Sequence, residues 1–284
     1  MRASGLINAP SATSGAHLCW VFEDASFSDI ATSFLAEGVA RNERVVLVAE
    51  GDPDALLDLV PALPDRGRLV SRGALVVADV RGLYSAGHDL GARQVAVYAE
   101  LTAAALADGF TGLRVAADAT LLVAEPADRR RFLHYELAVD HFITRAPMMA
   151  LCAYDASVLG PDAAELACVH PQRHVGPLGD PGFCLYHGDD GLRLEGEVDF
   201  AGHLLLERSF EAAMTAGDHD FVLDLAGLEF IDSGGVVRIH SLADALAGEG
   251  RQLTIRAAAP VLRRCWSLFG YDATTNVTWR DSVA

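Results

Sequence analysis

The stretch LEFIDSGGVV (Leu228–Val237) places a hydroxyl where chemistry can reach it. An apolar, strand-like run ends in Asp232, Ser233 stands where a helical pattern begins, and Gly234 and Gly235 follow. Two roles suit a serine there. As a helix cap, its oxygen accepts from a free amide of the first turn. As a phosphoacceptor, it exploits the unpaired amides and dipole of a helix N-terminus, which favour negative charge, while the glycines leave the hydroxyl open. Both roles remain open on the residues alone. A second set lies in the first half of the chain. His17 and Cys19, two apart, share one face of a predicted strand, and Cys152 lies in another. A metal or polar-ligand site from these three is weighed against the commoner role of buried cysteine as a small hydrophobe. The latter is preferred, so no metal and no cofactor are expected. Predicted strands in this half end at Phe22–Asp24, Glu50, Asp79, Asp118 and Tyr154–Asp155. Ligands of an open parallel sheet bind outside its carboxyl ends. Glu23, Asp24, Asp118, Tyr154 and Asp155 therefore join His17, Cys19 and Cys152 as ligand candidates, each acid alternatively a solvated turn residue. His134 and His141 are two helical turns apart, and His170 and His174 are separated by Pro171 and linker-like residues. Neither pair brings further ligands. Arg129–Arg131 reads as a solvated helix face. No H-E-x-x-H, C-x-x-C or G-x-S-x-G occurs, and no enzyme is expected.

The elements that position these residues alternate. HLCWVF (His17–Phe22), RVVLVAE (Arg44–Glu50), ALVVADV (Ala74–Val80), LRVAAD (Leu113–Asp118) and MMALCAYD (Met148–Asp155) read as strands, several covered on both faces. Between them fall a helix with Ile30, Phe34, Leu35 and Val39 on one face, a short helix at Ala55–Val60, and long helices at Ala92–Phe110 and Asp128–Ala146. This pattern predicts an α/β domain with a parallel sheet wrapped on both faces. Residues 1–14 read as a flexible tail, 15–172 as the first domain, 173–182 as a Pro/Gly-rich linker and 183–284 as a second domain. In the second, GDDG joins two strands as a hairpin, at Phe183–His187 and Leu192–Val198. Helices follow at Leu204–Ala216, Gly234–Ala247 and Pro260–Gly270, with a strand inside Phe221–Asp232 and another at Leu253–Ala258. In the middle helix Val236, Ile239, Leu242 and Leu246 face inward. The second domain is thus a small β-sheet with helices.

Composition narrows the chemistry. The 284 residues are 51% hydrophobic and 21% charged, ordinary for folded protein, and the length favours two domains. The net charge of −17 disfavours nucleic acid and anionic membrane as partners, since phosphate binding needs a concentrated basic surface. All 22 basic residues are Arg. With no Lys, a P-loop, a pyridoxal-phosphate site and a Schiff-base aldolase are excluded. Five scattered cysteines argue against a disulfide framework. No signal-peptide core or span-length apolar run is present, and a cytoplasmic protein is expected.

LRLEGEVD, FVLDLAGLEFIDSGGV and LTIRAAAPVLRRCWSLFG together resemble the STAS domain of anti-sigma factor antagonists, over about residues 184–284. Gly196, Glu197, Val198 and Asp199 match that family's G-E-[LIV]-D strand, and Asp232–Ser233 match its Asp–Ser pair. The resemblance implies phosphorylation of Ser233 by an anti-sigma factor serine kinase, with Asp199, Asp232, Ser233, Gly234 and Gly235 forming the docking loop. Gly234 departs from the Ser or Thr usual there. HLCWVFED, FLAEGVARNERVVLVAE, GFTGLRVAAD, YELAVDHF and MMALCAYDASVLGPD followed by HP resemble the MEDS (methanogen/methylotroph sensory) domain over about 15–172. That resemblance implies sensing of a small organic ligand without catalysis. The order of blocks also resembles a RecA/KaiC-type sheet whose phosphate loop has degenerated. Together these imply a sensor coupled to a partner-switching antagonist, or, alternatively, a scaffold in which the second domain mediates assembly without phosphorylation.

Overall fold

The computed structural model describes residues 5–7, 15–23, 27–84, 90–215 and 220–281. The chain divides into two compact units, Arg2–Gly179 and Asp180–Ala284.

The first unit is built on seven parallel strands: β1 (Gly5–Leu6), β2 (His17–Phe22), β3 (Arg44–Ala49), β4 (Leu75–Asp79), β5 (Leu113–Asp118), β6 (Met148–Asp155) and β7 (Gln172–His174). Their order in the sheet is β1-β7-β2-β6-β5-β3-β4. Its helices are α1 (Phe27–Ala40), α2 (Pro53–Leu56), α3 (Arg66–Ser71), α4 (Val80–Leu83), α5 (Leu90–Ala107), α6 (Pro126–Ile143), α7 (Ala156–Leu159) and α8 (Ala163–Ala167). Strands β2 and β3 are buried at every residue, as their unbroken apolar runs require of a sheet covered on both faces. Helix α1 buries Ile30, Phe34 and Leu35 on one side.

Three expectations for the first unit are corrected. Within the segment read as a tail, Gly5–Leu6 pairs with Gln172–Arg173; the other residues of 1–14 lie outside the described residues. The linker read as beginning at 173 starts later, because Arg173 and His174 belong to β7, which pairs with β2, and the His174 ring stacks on Trp20 at 4.0 Å. Arg129 is not on a solvated face. It is buried, its guanidinium donating to the Val123 and Ala124 carbonyls and to Asp162 at 2.5 Å.

The second unit holds β8 (Phe183–Gly188), β9 (Gly191–Val198), α9 (His203–Thr215), β10 (Phe221–Asp224), β11 (Leu228–Ile231), α10 (Ser233–Gly248), β12 (Leu253–Arg256), α11 (Pro260–Leu268) and β13 (Val277–Arg280). Strands β8 and β9 form the expected antiparallel hairpin. The other pairs are parallel, in the order β11-β9-β10-β12-β13. Phe221–Asp232 holds two strands rather than one. The Asp224 carboxylate accepts from the Ala226 amide at 3.0 Å, and that turn interrupts the run. Strand β13 was not anticipated. Val236, Ile239, Leu242 and Leu246 are buried, as their spacing predicts.

A fully buried cation on β5 braces the first unit. Arg114 on β5 is fully enclosed, donates to Glu43 at 2.5 Å and Glu37 at 3.2 Å, and lies over the Phe34 ring at 4.7 Å. Removing one partner of such a pair strands the others. Arg114→Met is expected to destabilise the unit by about 3 kcal/mol in denaturant unfolding, the low end for such a loss because Glu37 reaches solvent. Arg41→Ala, which breaks only the exposed Arg41–Glu37 pair, is expected to cost no more than about 0.5 kcal/mol.

Candidate functional site

The first unit gathers ionisable side chains beneath α6. His17 and Cys19 on β2 point to the same face as Cys152 and Tyr154 on β6, because the two strands pair in register with Cys19 opposite Cys152. Helix α6 lays Glu136 and Asp140, one turn apart, against that face, and His170 enters from the turn after α8. All of these side chains are buried. Glu136 Oε2 lies 3.1 Å from His17 Nε2, 3.4 Å from His170 Nε2 and 3.5 Å from Cys152 Sγ. Tyr154 donates to its other oxygen. His17 Nδ1 lies 3.4 Å from Asp140, and His170 Nδ1 lies 2.8 Å from the Leu166 carbonyl. Adjacent to this cluster, Tyr84 shares hydrogen bonds with Tyr98 at 2.6 Å and with Tyr135 at 3.0 Å, all three buried.

The electrostatics follow from that packing. Burial alone would raise the Glu136 carboxyl, but the two histidines reverse the shift and hold it well below the usual range. Burial would lower His17, and its bonds to Asp140 and Glu136 outweigh it, so His17 is raised. His170 is lowered by burial and by the charge of His17. Burial, reinforced by Glu136, pushes the Cys152 thiol and the Tyr154 phenol far up, and burial lifts Tyr98 to about 12. Among the described residues, His17, Glu136, Cys152 and His170 form a group whose ligand atoms all lie within 4.8 Å of one another, a set able to hold a metal ion.

The second unit places Asp199 and Asp232–Gly235 at the carboxyl ends of β9 and β11. The Ile231–Val198 pairing and the Asp232 amide bond to Val198 bring Asp199 and Asp232 to the same end. Asp232, rather than Ser233, caps α10. Its backbone is extended, and its carboxylate accepts from the Gly235 amide at 2.8 Å. Ser233 is therefore the first residue of the helix, with its side chain exposed. Asp199 caps the next turn, accepting from Ala201 at 3.0 Å. Burial would raise Asp232, but the Gly235 amide and His203 outweigh it and hold its carboxyl low. His203 Nε2 lies 2.6 Å from Asp232 Oδ1. The imidazole also occupies the space a side chain at 234 would need, for a Cβ there would lie 2.0 Å from the ring. At Gly235, a Cβ would meet Ile231 at 2.6 Å and Val198 at 2.9 Å. Ser233, Gly234, Val237, Phe269 and Tyr271 line an open groove of about 350 Å³.

Comparison with known proteins matches residues 16–171 to the family described as MEDS, the methanogen/methylotroph, DcmR sensory domain. The chain belongs to the MEDS family. Residues 187–277 of the same MEDS protein match the family described as Mlab, STAS domain. A search of curated proteins found no match. A sensory domain joined to a STAS domain makes this a signalling protein. Among the described residues, no helix is long and apolar enough to cross a membrane.

The MEDS unit sorts the candidate ligand residues into separate groups. His17, Cys152 and Tyr154 meet around Glu136, with Cys19 beside Cys152. Asp118 and Asp155 lie elsewhere, tied together through Thr120. Thr120 donates to Asp118 at 2.6 Å and accepts from the Asp155 amide, while Asp155 caps α7. Burial pushes the Asp118 carboxyl up. Glu23 is exposed at the end of β2, and Asp24 lies outside the described residues. Glu50 pairs with Arg81, and Asp79 caps α4, so these strand-end acids serve turns and ion pairs. Sequence reasoning missed Glu136, Asp140 and His170 as members of the cluster. The available signal was YELAVDHF, where two acids one turn apart fall on the same side of the helix as Phe132, Leu133 and Leu137. In the STAS unit His203 was missed as well.

The His203–Gly234 contact makes a testable cycle. Gly234→Ser alone is expected to destabilise the STAS unit by about 2 kcal/mol through overpacking against the ring. In a His203→Ala background the same change is expected to fall within about 0.5 kcal/mol of neutral, and denaturant unfolding of the four proteins measures the coupling.

Proposed function

We propose that the STAS unit is an anti-sigma factor antagonist whose partner docks at the Ser233 end and whose grip is set by phosphorylation of Ser233. One observation carries the reading: Asp232 makes the capping bond that a serine would otherwise make, leaving the Ser233 hydroxyl exposed on the first residue of α10. The groove beside it supports the same reading. Phe200 and Phe269 are exposed near this end, Phe200 against His203 and Phe269 against Tyr271 in the groove wall. Exposed aromatics around a polar centre suit a protein partner. A phosphate on Ser233 would add about −1.5 to −2 charges. The amides of the first turn favour it, whereas the Asp232 and Asp199 carboxylates at the same end concentrate negative charge against the partner. Unphosphorylated, the unit binds an anti-sigma factor serine kinase. Phosphorylated, it lets go. ATP and magnesium belong to that kinase.

The MEDS unit supplies the sensory input, a small organic ligand, and the chain acts without catalysis in the cytoplasm. In support, Cys152 is buried against Glu136 and His17, out of reach of a substrate.

The test is the intact mass of the protein isolated from its own cells, before and after phosphatase. A phosphate-sized loss that is absent in Ser233→Ala is the expected result. A folded protein carrying no phosphate under any growth condition would leave the STAS unit as an assembly module.

A further inference from the structure

We propose that His17 Nε2, Glu136 Oε2, Cys152 Sγ and His170 Nε2 form a four-coordinate site for a divalent transition metal of the zinc class, buried in the first unit. The spacing points to a centre rather than to pairwise bonds. Charge-assisted N–H···O bonds close to about 2.7–2.9 Å. Here Glu136 Oε2 stands 3.1 Å from His17, 3.4 Å from His170 and 3.5 Å from Cys152, and Cys152 Sγ stands 3.6 Å from His17. Ligands about 2.0–2.3 Å from a tetrahedral centre are separated by about 3.3–3.6 Å along the edges. Four of the six pairwise distances, at 3.1–3.6 Å, lie within about 0.2 Å of those edges, and all the ligand atoms fall within 4.8 Å of one another, so a small closing movement of His170 completes the array.

The groups behind the ligands fit as well. Histidines that bind metal usually give their second ring nitrogen to a carboxylate or carbonyl, which fixes the lone pair on the first. Asp140 stands behind His17 Nδ1 at 3.4 Å, and the Leu166 carbonyl behind His170 Nδ1 at 2.8 Å. Tyr154 donates to the Glu136 oxygen that does not face the cluster. Among the four ligands themselves, Asp140 apart, the charge balances too. Two neutral imidazoles, a thiolate and a carboxylate carry −2, which a divalent cation neutralises in a site that excludes water. On binding, the Cys152 thiol releases its proton and the sulfur pair passes to the metal, with no change in oxidation state. One thiolate, two imidazoles and one carboxylate in tetrahedral array suit zinc over the octahedral, all-oxygen metals. All four positions are filled by the protein, so the site is a structural clasp joining β2, α6, β6 and the turn after α8.

The test uses the untagged full chain, purified without chelator. Plasma mass spectrometry is expected to find one equivalent of metal. In the zinc-loaded protein, X-ray absorption is expected to show one sulfur at about 2.3 Å and three nitrogen or oxygen scatterers at about 2.0–2.1 Å. Cobalt added after chelator treatment is expected to give tetrahedral d–d bands with a thiolate charge-transfer band. Cys152→Ser is expected to remove that band, while Cys19→Ser, one strand away in the same register, retains it. Asp140→Asn is expected to weaken zinc about tenfold in chelator competition. Should Cys152→Ser fail to fold, the sulfur shell of the unaltered protein decides. No retained zinc or cobalt, with melting unchanged by added zinc, would overturn the proposal. So would zinc bound without a sulfur neighbour.

Discussion

A carboxylate with no access to water is the constraint on which the first unit turns. Glu136 is fully buried on α6, and its ion-pair partners are histidines rather than arginines. Placing that charge in a medium of low polarity costs several kcal/mol unless donors surround it. The fold meets the cost with donors from three elements. Strand β2 brings His17, strand β6 brings Cys152 and Tyr154, the turn after α8 brings His170, and α6 adds Asp140 behind His17. The register that sets Cys19 against Cys152 therefore also sets the electrostatics, since a one-residue slip would turn these side chains to the other face.

Steric rather than electrostatic constraint governs the STAS unit. Helix α10 starts close against β9 and β11, and Gly235 leaves no room for a side chain between Val198 and Ile231. Asp232 is then the cap, and Ser233 is carried to the surface. His203 fills the volume that a side chain at 234 would take and bonds the cap directly. The glycine that departs from the usual STAS pattern is thus matched by an imidazole from α9.

Much of the architecture was legible in the sequence. Runs such as RVVLVA and HLCWVF declare strands buried on both faces, and GDDG between two alternating segments declares a hairpin. Legibility failed where a residue's neighbours come from distant chain. Glu136 and Asp140 look like the polar face of a helix until β2 and β6 are laid against them. His170 borders a Pro/Gly-rich stretch that reads as linker, yet its ring lies 4.1 Å from that of His17. Arg129 lies in a run of three arginines and is buried where its fellows suggest solvent. The strand-end acids illustrate the converse. Their position at the mouth of a parallel sheet is that of ligand-binding residues, but Asp79 and Asp155 spend their carboxylates on helix caps.

The buried charge of Glu136 organises the first unit. The direct measurement is the denaturant unfolding free energy of Glu136→Gln beside the parent and beside Glu100→Gln, a change at an exposed residue. Gln keeps the shape and removes the charge. The expected result is a loss of about 3 kcal/mol or more for Glu136→Gln, because its partners are left buried without their counter-charge, and no measurable loss for Glu100→Gln. A Glu136→Gln protein as stable as the parent, or more stable, would show that this charge does not hold the first unit together.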